Sequence, residues 1–199
     1  VDEYGEATGE VEERSIVHEK GLKHRTSHVW LVREREGQWQ VLLQKRSENK
    51  DSFPGCYDIS SAGHIPAGMG FEESALRELK EELSVSADAE QLICCGDIKI
   101  SNDMVFHGKP FNDDQYSRVY CIMLDMEPGE MCLQEEEVSS VIWKPLNECI
   151  EEYYDPGFKH CLLMEELIML RDRLMGIEDS KHTDTDVRVP SAVRVEIKT

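Results

Sequence analysis

Positive charge is scarce in this chain: 22 Lys and Arg stand against 41 Asp and Glu, a formal net charge of −19 over 199 residues. A surface of that sign repels phosphate polymers and anionic headgroups alike, so neither a nucleic-acid polymer nor a membrane is an expected partner. A small anionic substrate stays open only where metal ions or a local basic patch overcome the field of the whole protein. Long apolar runs are missing too. There is no stretch of about 18 apolar residues, no signal-peptide core and no lipidation motif. The cysteines Cys56, Cys94, Cys95, Cys121, Cys132, Cys149 and Cys161 form no CxxC pair and no zinc-ligand spacing. They read as small apolar core residues kept in a reducing compartment, with the cytoplasm as the expected location.

What is present suffices for one ordinary domain, since 40% hydrophobic content builds a core of normal size. Residues 1–25 are polar, with two Gly turns, and read as a short hairpin or turn followed by a brief helical piece over Glu12–His18. Strands are expected over His28–Arg33 and Trp39–Arg46, joined by a turn at Glu36–Gln38. A Pro-Gly turn then leads through a short strand near Tyr57–Ser61 into the glycine-punctuated loop Gly63–Gly70. The helix after it, Phe71–Leu83, carries Ala75, Leu76, Leu79 and Leu83 as its buried stripe. Strands follow over Leu92–Ser101, Tyr116–Met126 and Val138–Lys144, then a short helix from Leu146 to about Tyr153 and a longer one over Phe158–Met175. That order predicts an α+β fold, a mixed β-sheet sandwiched between helices. The domain is expected over 26–175, and 176–199 as a tail. In the tail Val187, Val189, Val193, Val195 and Ile197 alternate with polar residues, which suits an added edge strand, a partner-binding segment or a flexible end.

The stretch RELKEELSV, Arg77–Val85, is where chemistry enters. Glu78, Glu81 and Glu82 stand at i, i+3 and i+4, so they share one helix face beside the apolar stripe. Like charges at that spacing each cost a few tenths of a kcal/mol. Glu73 is placed to relieve this partly by pairing with Arg77, and a hard divalent cation with oxygen ligands would offset the remainder. The loop SAGHIPAGMG, which delivers the chain to the helix N-terminus, lets backbone groups approach a bound ion or phosphate closely. Loop and carboxylates together describe a cradle for metal and diphosphate.

These residues resemble the Nudix box: Gly63, five residues, one position, seven more, then Arg77-Glu78-Leu79-Lys80-Glu81-Glu82-Leu83-Ser84-Val85. The resemblance spans Thr26 to Met175 and implies the Nudix α/β/α sandwich. It also implies Mg²⁺ or Mn²⁺ held by Glu78, Glu81 and Glu82, with the backbone carbonyl of Ala62 or Gly63 as a further ligand, and hydrolysis of a diphosphate bond in a small molecule. Glu82 and Glu81 then enter catalysis. The run QEEEVSSVIW supplies Glu135, Glu136 and Glu137, of which Glu136 is the preferred candidate for positioning or deprotonating the attacking water. Two positions depart from the family pattern. Met69 stands where the box has its first Glu, which in the family braces the Arg, and Ser84 stands where it has a Gly in a left-handed conformation.

Outside the box, GLKHRTSHVWLV and LLQKRSENKDSFPGCYDISSAGH are similar to isopentenyl-diphosphate isomerases and the Nudix hydrolases related to them. The isomerase needs a Cys before its Gly-His, a set of His ligands and a Glu pair on a later strand. Ala62 occupies the Cys position, and Gln115 and Ser117 stand where acidic residues are wanted, although His24 and His64 remain. Diphosphate hydrolysis is therefore preferred. Isomerisation and a catalytically impaired module that binds a diphosphate metabolite are the alternatives. Lys45, Arg46, His64 and Arg77 are the candidates for substrate binding, and the segment His107–Arg118 for recognising the group beyond the diphosphate, with Phe111 and Tyr116 able to stack. His28 reads as a core or edge residue of the first strand, and His160 and His182 have no constellation around them. A homodimer would suit the apolar C-terminal helix and the tail.

Overall fold

The computed structural model describes residues 1–106, 108–183 and 194–195. At its centre β1 (His24–Arg35) lies parallel to β7 (Lys109–Met123), with His28 opposite Val119. Every other pairing in this sheet is antiparallel: β1 with β2 (Gln38–Arg46) and β4 (Ser61–His64), β2 with β3 (Tyr57–Asp58) and β8 (Val138–Pro145), and β7 with β6 (Ile93–Phe106). The β1–β2 turn is built on Glu36 and Gly37, both left-handed at φ 53° and 71°, a geometry that matches the twist of a two-residue hairpin.

Side-chain alternation along β1 explains why the sheet is covered on both sides. Val29 and Leu31 face α2 (Phe71–Leu83), which buries Ala75, Leu79 and Leu83 against them. Trp30 and Val32 face the opposite way, toward α3 (Leu146–Glu151) and α4 (Met164–Thr183), where Leu146, Cys149, Leu167, Leu170 and Leu174 are buried. Both sets of β1 side chains are hidden, so VWLV reads as one continuous apolar run. Each such Leu or Val contributes roughly 1.5–3 kcal/mol of burial. The expected mixed sheet between helices is what forms.

Several boundaries move. Of the expected hairpin or turn near the start, a turn forms, with the Asp2 amide donating to the Glu6 carbonyl at 2.9 Å, and α1 (Arg14–Lys20) follows and ends at Gly21 in the left-handed region, φ 63°. The segment expected as a recognition loop around 108–118 is mostly strand, because β6 and β7 pair from Ile93–Cys121 out to Phe106–Lys109 with one register shift, between Cys94 and Gly96. Backbone ladder bonds carry through polar residues such as Asn102 and Asp113, which a composition-based reading assigns to loop. The C-terminal helix begins at Met164 instead of Phe158. The stretch before it runs extended beside β3, with Tyr57 donating to the Lys159 carbonyl and Cys161 to that of Tyr57, both at 2.9 Å, and those bonds compete with helix formation. The same helix continues through Gly176 to Thr183. Arg194–Val195 pairs antiparallel with β5 (Val85–Ser86). Val187, Val189, Val193 and Ile197 of the tail, and His107, lie outside the described residues. Among the described residues no helix is long and apolar enough to cross a membrane.

Candidate active site

On the α2 side of the sheet the box residues come together as their spacing requires. Arg77 donates to Glu78 Oε1 and, from Nη1 at 3.0 Å, to Glu81 Oε2. This replaces the expected pairing with Glu73. Nε of Arg77 is buried without a hydrogen-bond partner. The Met69 carbonyl accepts from Arg25 Nη2 at 3.3 Å, so Arg25, whose guanidinium lies 5.1 Å from the Phe71 ring, holds the end of the loop.

Glu82 is 6% exposed, and its Oε2 has no hydrogen-bond partner. Burial pushes the Glu82 carboxyl up to about 8, against the pull of the neighbouring Ser61 hydroxyl and with the charge of Glu78 adding to it. Glu78 is also raised, by burial first and then by Glu81 and Glu137 acting against Arg77. Gly63 makes this packing possible: a Cβ there would lie 2.2 Å from both Cγ and Cδ of Glu78. An orphaned carboxylate oxygen, a neighbouring carboxylate pressed against bare backbone and oxygen donors throughout fit a hard divalent cation. Glu137, held by an ion pair to Lys50, is the acidic residue of the 135–137 run that acts on Glu78. Glu136 is exposed at the rim beside it.

At the same end of the sheet, on the α4 side, a cavity of about 360 Å³ opens. Its walls combine Ile100, Met104, Phe111 and Leu162 with Arg46, Asp58, Asn102 and Gln115. A β-bulge between Lys45 and Arg46 interrupts the strand alternation. Arg46 lines the cavity, bound to Asp58 Oδ2 at 2.8 Å, whereas Lys45 does not line it. At the mouth, one ligand atom from each of His18, His24 and His64 lies within 4.8 Å of the others. His18 Nε2 is 3.0 Å from His64 Nε2, and Asp113 Oδ1 faces His24 Nε2 at 3.4 Å and His18 Nδ1 at 3.8 Å. Burial, followed by the charges of Arg14 and His24, drives His64 down to about 2, so it stands as a neutral imidazole. Burial likewise lowers His18, against the pull of Asp113. Three imidazoles and a carboxylate form a second set of groups able to hold a divalent cation.

The structure therefore gathers Glu78, Glu81, Glu82, Arg77 and Gly63 in one place, and Arg46 and His64, with Ala62, in the adjoining cavity. It leaves Lys45 and Glu136 outside both. Sequence reasoning missed His18, Asp113 and Glu166, and in the run that supplies Glu135, Glu136 and Glu137 it preferred Glu136. For Glu137 a signal existed, since it immediately precedes the buried Val138. His18 and Asp113 are brought into one set only by the fold, since His64 lies 46 residues from His18 and Asp113 lies 95 residues from it. His28 is buried as expected, but among polar partners and on the cavity wall.

Comparison with known proteins places this geometry. The NUDIX domain family matches residues 22–162. "Nudix hydrolase 3" of Arabidopsis thaliana is 45% identical over 149 residues, covering 72% of this chain and 18% of that protein. An uncharacterized Nudix hydrolase of Clostridium acetobutylicum is 39% identical over 136 residues, covering 68% of this chain and 63% of its own length. The chain thus spans less than two thirds of either relative. Among solved structures, the NUDIX domain of Shewanella oneidensis NrtR complexed with ADP ribose superimposes with a TM-score of 0.53 at 18% identity, covering 82% of this chain and 99% of that one, a likeness of fold.

Proposed function

The chain belongs to the NUDIX family, and from that premise we propose that it hydrolyses the diphosphate bond of a small organic diphosphate with the help of Mg²⁺ or Mn²⁺. The observation that carries the reading is Glu82: a carboxylate with a buried, unpartnered oxygen, next to a second carboxylate packed on Gly63. Left without a cation, that arrangement is costly. A bound divalent ion supplies charge neutralisation on the diphosphate and activation of the attacking water. Glu78, Glu82 and the Ala62 or Gly63 carbonyl are the groups to hold it, with Glu81 completing the set from the exposed side of the helix. Arg77 keeps Glu78 and Glu81 oriented. Glu137, fixed by Lys50, stands where a carboxylate can position the water, and it takes the role expected for Glu136.

The organic part of the substrate belongs in the 360 Å³ cavity, where Arg14, Arg46 and Lys50 offset the acidity of the surface. The cytoplasm fits seven cysteines that are all free thiols.

The test is to incubate the protein with Mg²⁺ and isopentenyl diphosphate, ADP-ribose and nucleoside triphosphates, and to follow phosphate products. We expect turnover of at least one of them, and a loss on the order of 10³-fold in Glu82→Gln as cation and nucleophile activation go together. Turnover undiminished by Glu82→Gln overturns the reading.

A further inference from the structure

At the floor of the cavity a buried pair stands apart from both candidate cation sets. His28 on β1 and Glu166 on α4 both line it, and Glu166 is 1% exposed. Glu166 Oε2 and Oε1 lie 3.1 and 3.2 Å from His28 Nδ1, and Oε1 also accepts from Trp30 Nε1 at 2.8 Å. A carboxylate only accepts, so Nδ1 carries the proton, and the ring is fixed with Nε2 turned the other way. The contact there is weak: Thr26 Oγ1 at 3.4 Å, a hydroxyl already engaged by Ser117 Oγ at 2.6 Å and Gln115 Oε1 at 3.0 Å. The Thr26 hydroxyl gives its one hydrogen to Gln115 Oε1, so toward Nε2 it offers only a lone pair, which calls for a hydrogen on Nε2; burial opposes charge on His28, while the adjacent Glu166, then Asp58 and Asp113, raise its pKa in the same sense.

The pair is close to the chemistry. His28 sits directly opposite Ala62 in the β1–β4 ladder, one residue from Gly63, against which Glu78 packs. A charge-assisted donor, fixed by a fully buried carboxylate and poorly used by the protein itself, is a group in want of an acceptor.

We propose that His28, oriented by Glu166, is a substrate-binding residue that donates from Nε2 to an acceptor oxygen of the diphosphate substrate. This rests on the hydrolase reading for its substrate class. The oxygen belongs either to the diphosphate or to the group attached to it, and two probes separate these sources: isopentenyl diphosphate, whose only oxygens are those of the diphosphate, and ADP-ribose, which carries others. Glu166 acts through His28 and is a positioning residue.

The experiment measures binding of both probes by calorimetry, and turnover with Mg²⁺, in wild type, His28→Phe, Glu166→Gln and the double variant, with thermal melts to confirm folding. His28→Gln, which keeps a donor at lower bulk, is the second variant should His28→Phe fail to fold. His28→Phe is expected to weaken binding roughly 10- to 100-fold, the value of a charge-assisted hydrogen bond. Loss on both probes assigns the diphosphate, and loss on ADP-ribose alone assigns the attached group. Glu166→Gln is expected to weaken the same probe and to add nothing in the His28→Phe background, whereas a merely structural role would leave the two effects additive. Unchanged affinity and turnover in a folded His28→Phe or His28→Gln protein overturns the proposal, as does wild-type protein that binds neither probe. Binding that depends on His28 without turnover of any diphosphate leaves the proposal standing and removes the hydrolase reading instead.

Discussion

The α2 face and the cavity beneath α4 are assembled from the chain in opposite ways. Glu78, Glu81, Glu82 and Arg77 lie within six residues of one helix, and helical periodicity alone brings them together. The cavity takes His18 from α1, His28 from β1, His64 from β4, Asp113 from β7 and Glu166 from α4, with His24 of β1 beside His18, His64 and Asp113, so only the tertiary fold makes it a site. The first region crowds carboxylates together, and the second sets imidazoles against carboxylates, with His18 Nδ1, His24 Nε2 and Asp113 Oδ1 buried without hydrogen-bond partners. They meet at β4, where Gly63 gives Glu78 its room while Ala62 and His64 line the cavity.

The sharpest way to break this pairing of regions acts at Gly63. A Cβ there meets Glu78 Cγ and Cδ at 2.2 Å, atoms too near the helix to swing aside freely. Gly63→Ala is expected to lower kcat roughly 100-fold by displacing a cation ligand, an effect of the size seen when a metal's supporting contacts are lost. Binding of metal-free probes in the cavity should change little. Kinetics with Mg²⁺, set beside calorimetry without it, checks both halves; equal loss in the two assays would show that the regions are one site.

A smaller effect separates neighbours in the acidic run. Glu137, ion-paired to Lys50 and felt by Glu78, belongs to the carboxylate region, whereas Glu136 is a solvated rim residue. Glu137→Gln should reduce kcat by about 10- to 100-fold with little change in KM, and Glu136→Gln should stay within about twofold. The reverse order would return the role to Glu136.

The same contrast governs what could be seen in the sequence. The box was legible because its residues are local and its glycine loop adjoins them, and the mixed sheet followed from VWLV and WQVLLQKR. Ser84 was legible as well: it takes the left-handed conformation expected of the box glycine, φ 56° and ψ 27°. Hidden were the contacts made by distant partners. Asp113 sits in a polar stretch that reads as loop but pairs as strand, and His28 in an apolar strand that reads as core. Glu166 falls on an amphipathic helix where an acidic residue signals solvent, yet the chain buries it completely against His28 and Trp30. Residue type predicts environment only until a long-range partner changes the cost of burial.

Stability against pH sharpens the comparison further. In metal-free protein burial pushes the Glu82 carboxyl up to about 8 from its ordinary 4.5, so the folded state holds this proton more tightly than the unfolded one. Its contribution is fully present below about 4.5 and is lost as pH rises through about 8. Thermal melts in chelator should therefore show Tm falling by several degrees across that window. Mg²⁺ should flatten the fall, because the cation compensates the ionised carboxylate that burial otherwise disfavours. Glu82→Gln should abolish both the slope and the Mg²⁺ effect; a slope that survives in Glu82→Gln would assign the titration to another group.

The smallest effect concerns the end of α2. Ser84 is 5% exposed, and its amide donates to the Lys80 carbonyl at 3.0 Å, closing the last turn of the helix that carries the carboxylates. A non-glycine residue in that conformation costs about 1 kcal/mol, partly offset by the backbone freedom that glycine would bring to the unfolded chain. Ser84→Gly should raise Tm by about 2 °C. Because the cap bond uses the backbone amide and not the hydroxyl, the carboxylate geometry is expected to persist, and kcat should change less than about twofold. A gain in stability accompanied by a fall in kcat would mean that strain at residue 84 holds Glu81 and Glu82 in place, making the departure from the box a working part of the site.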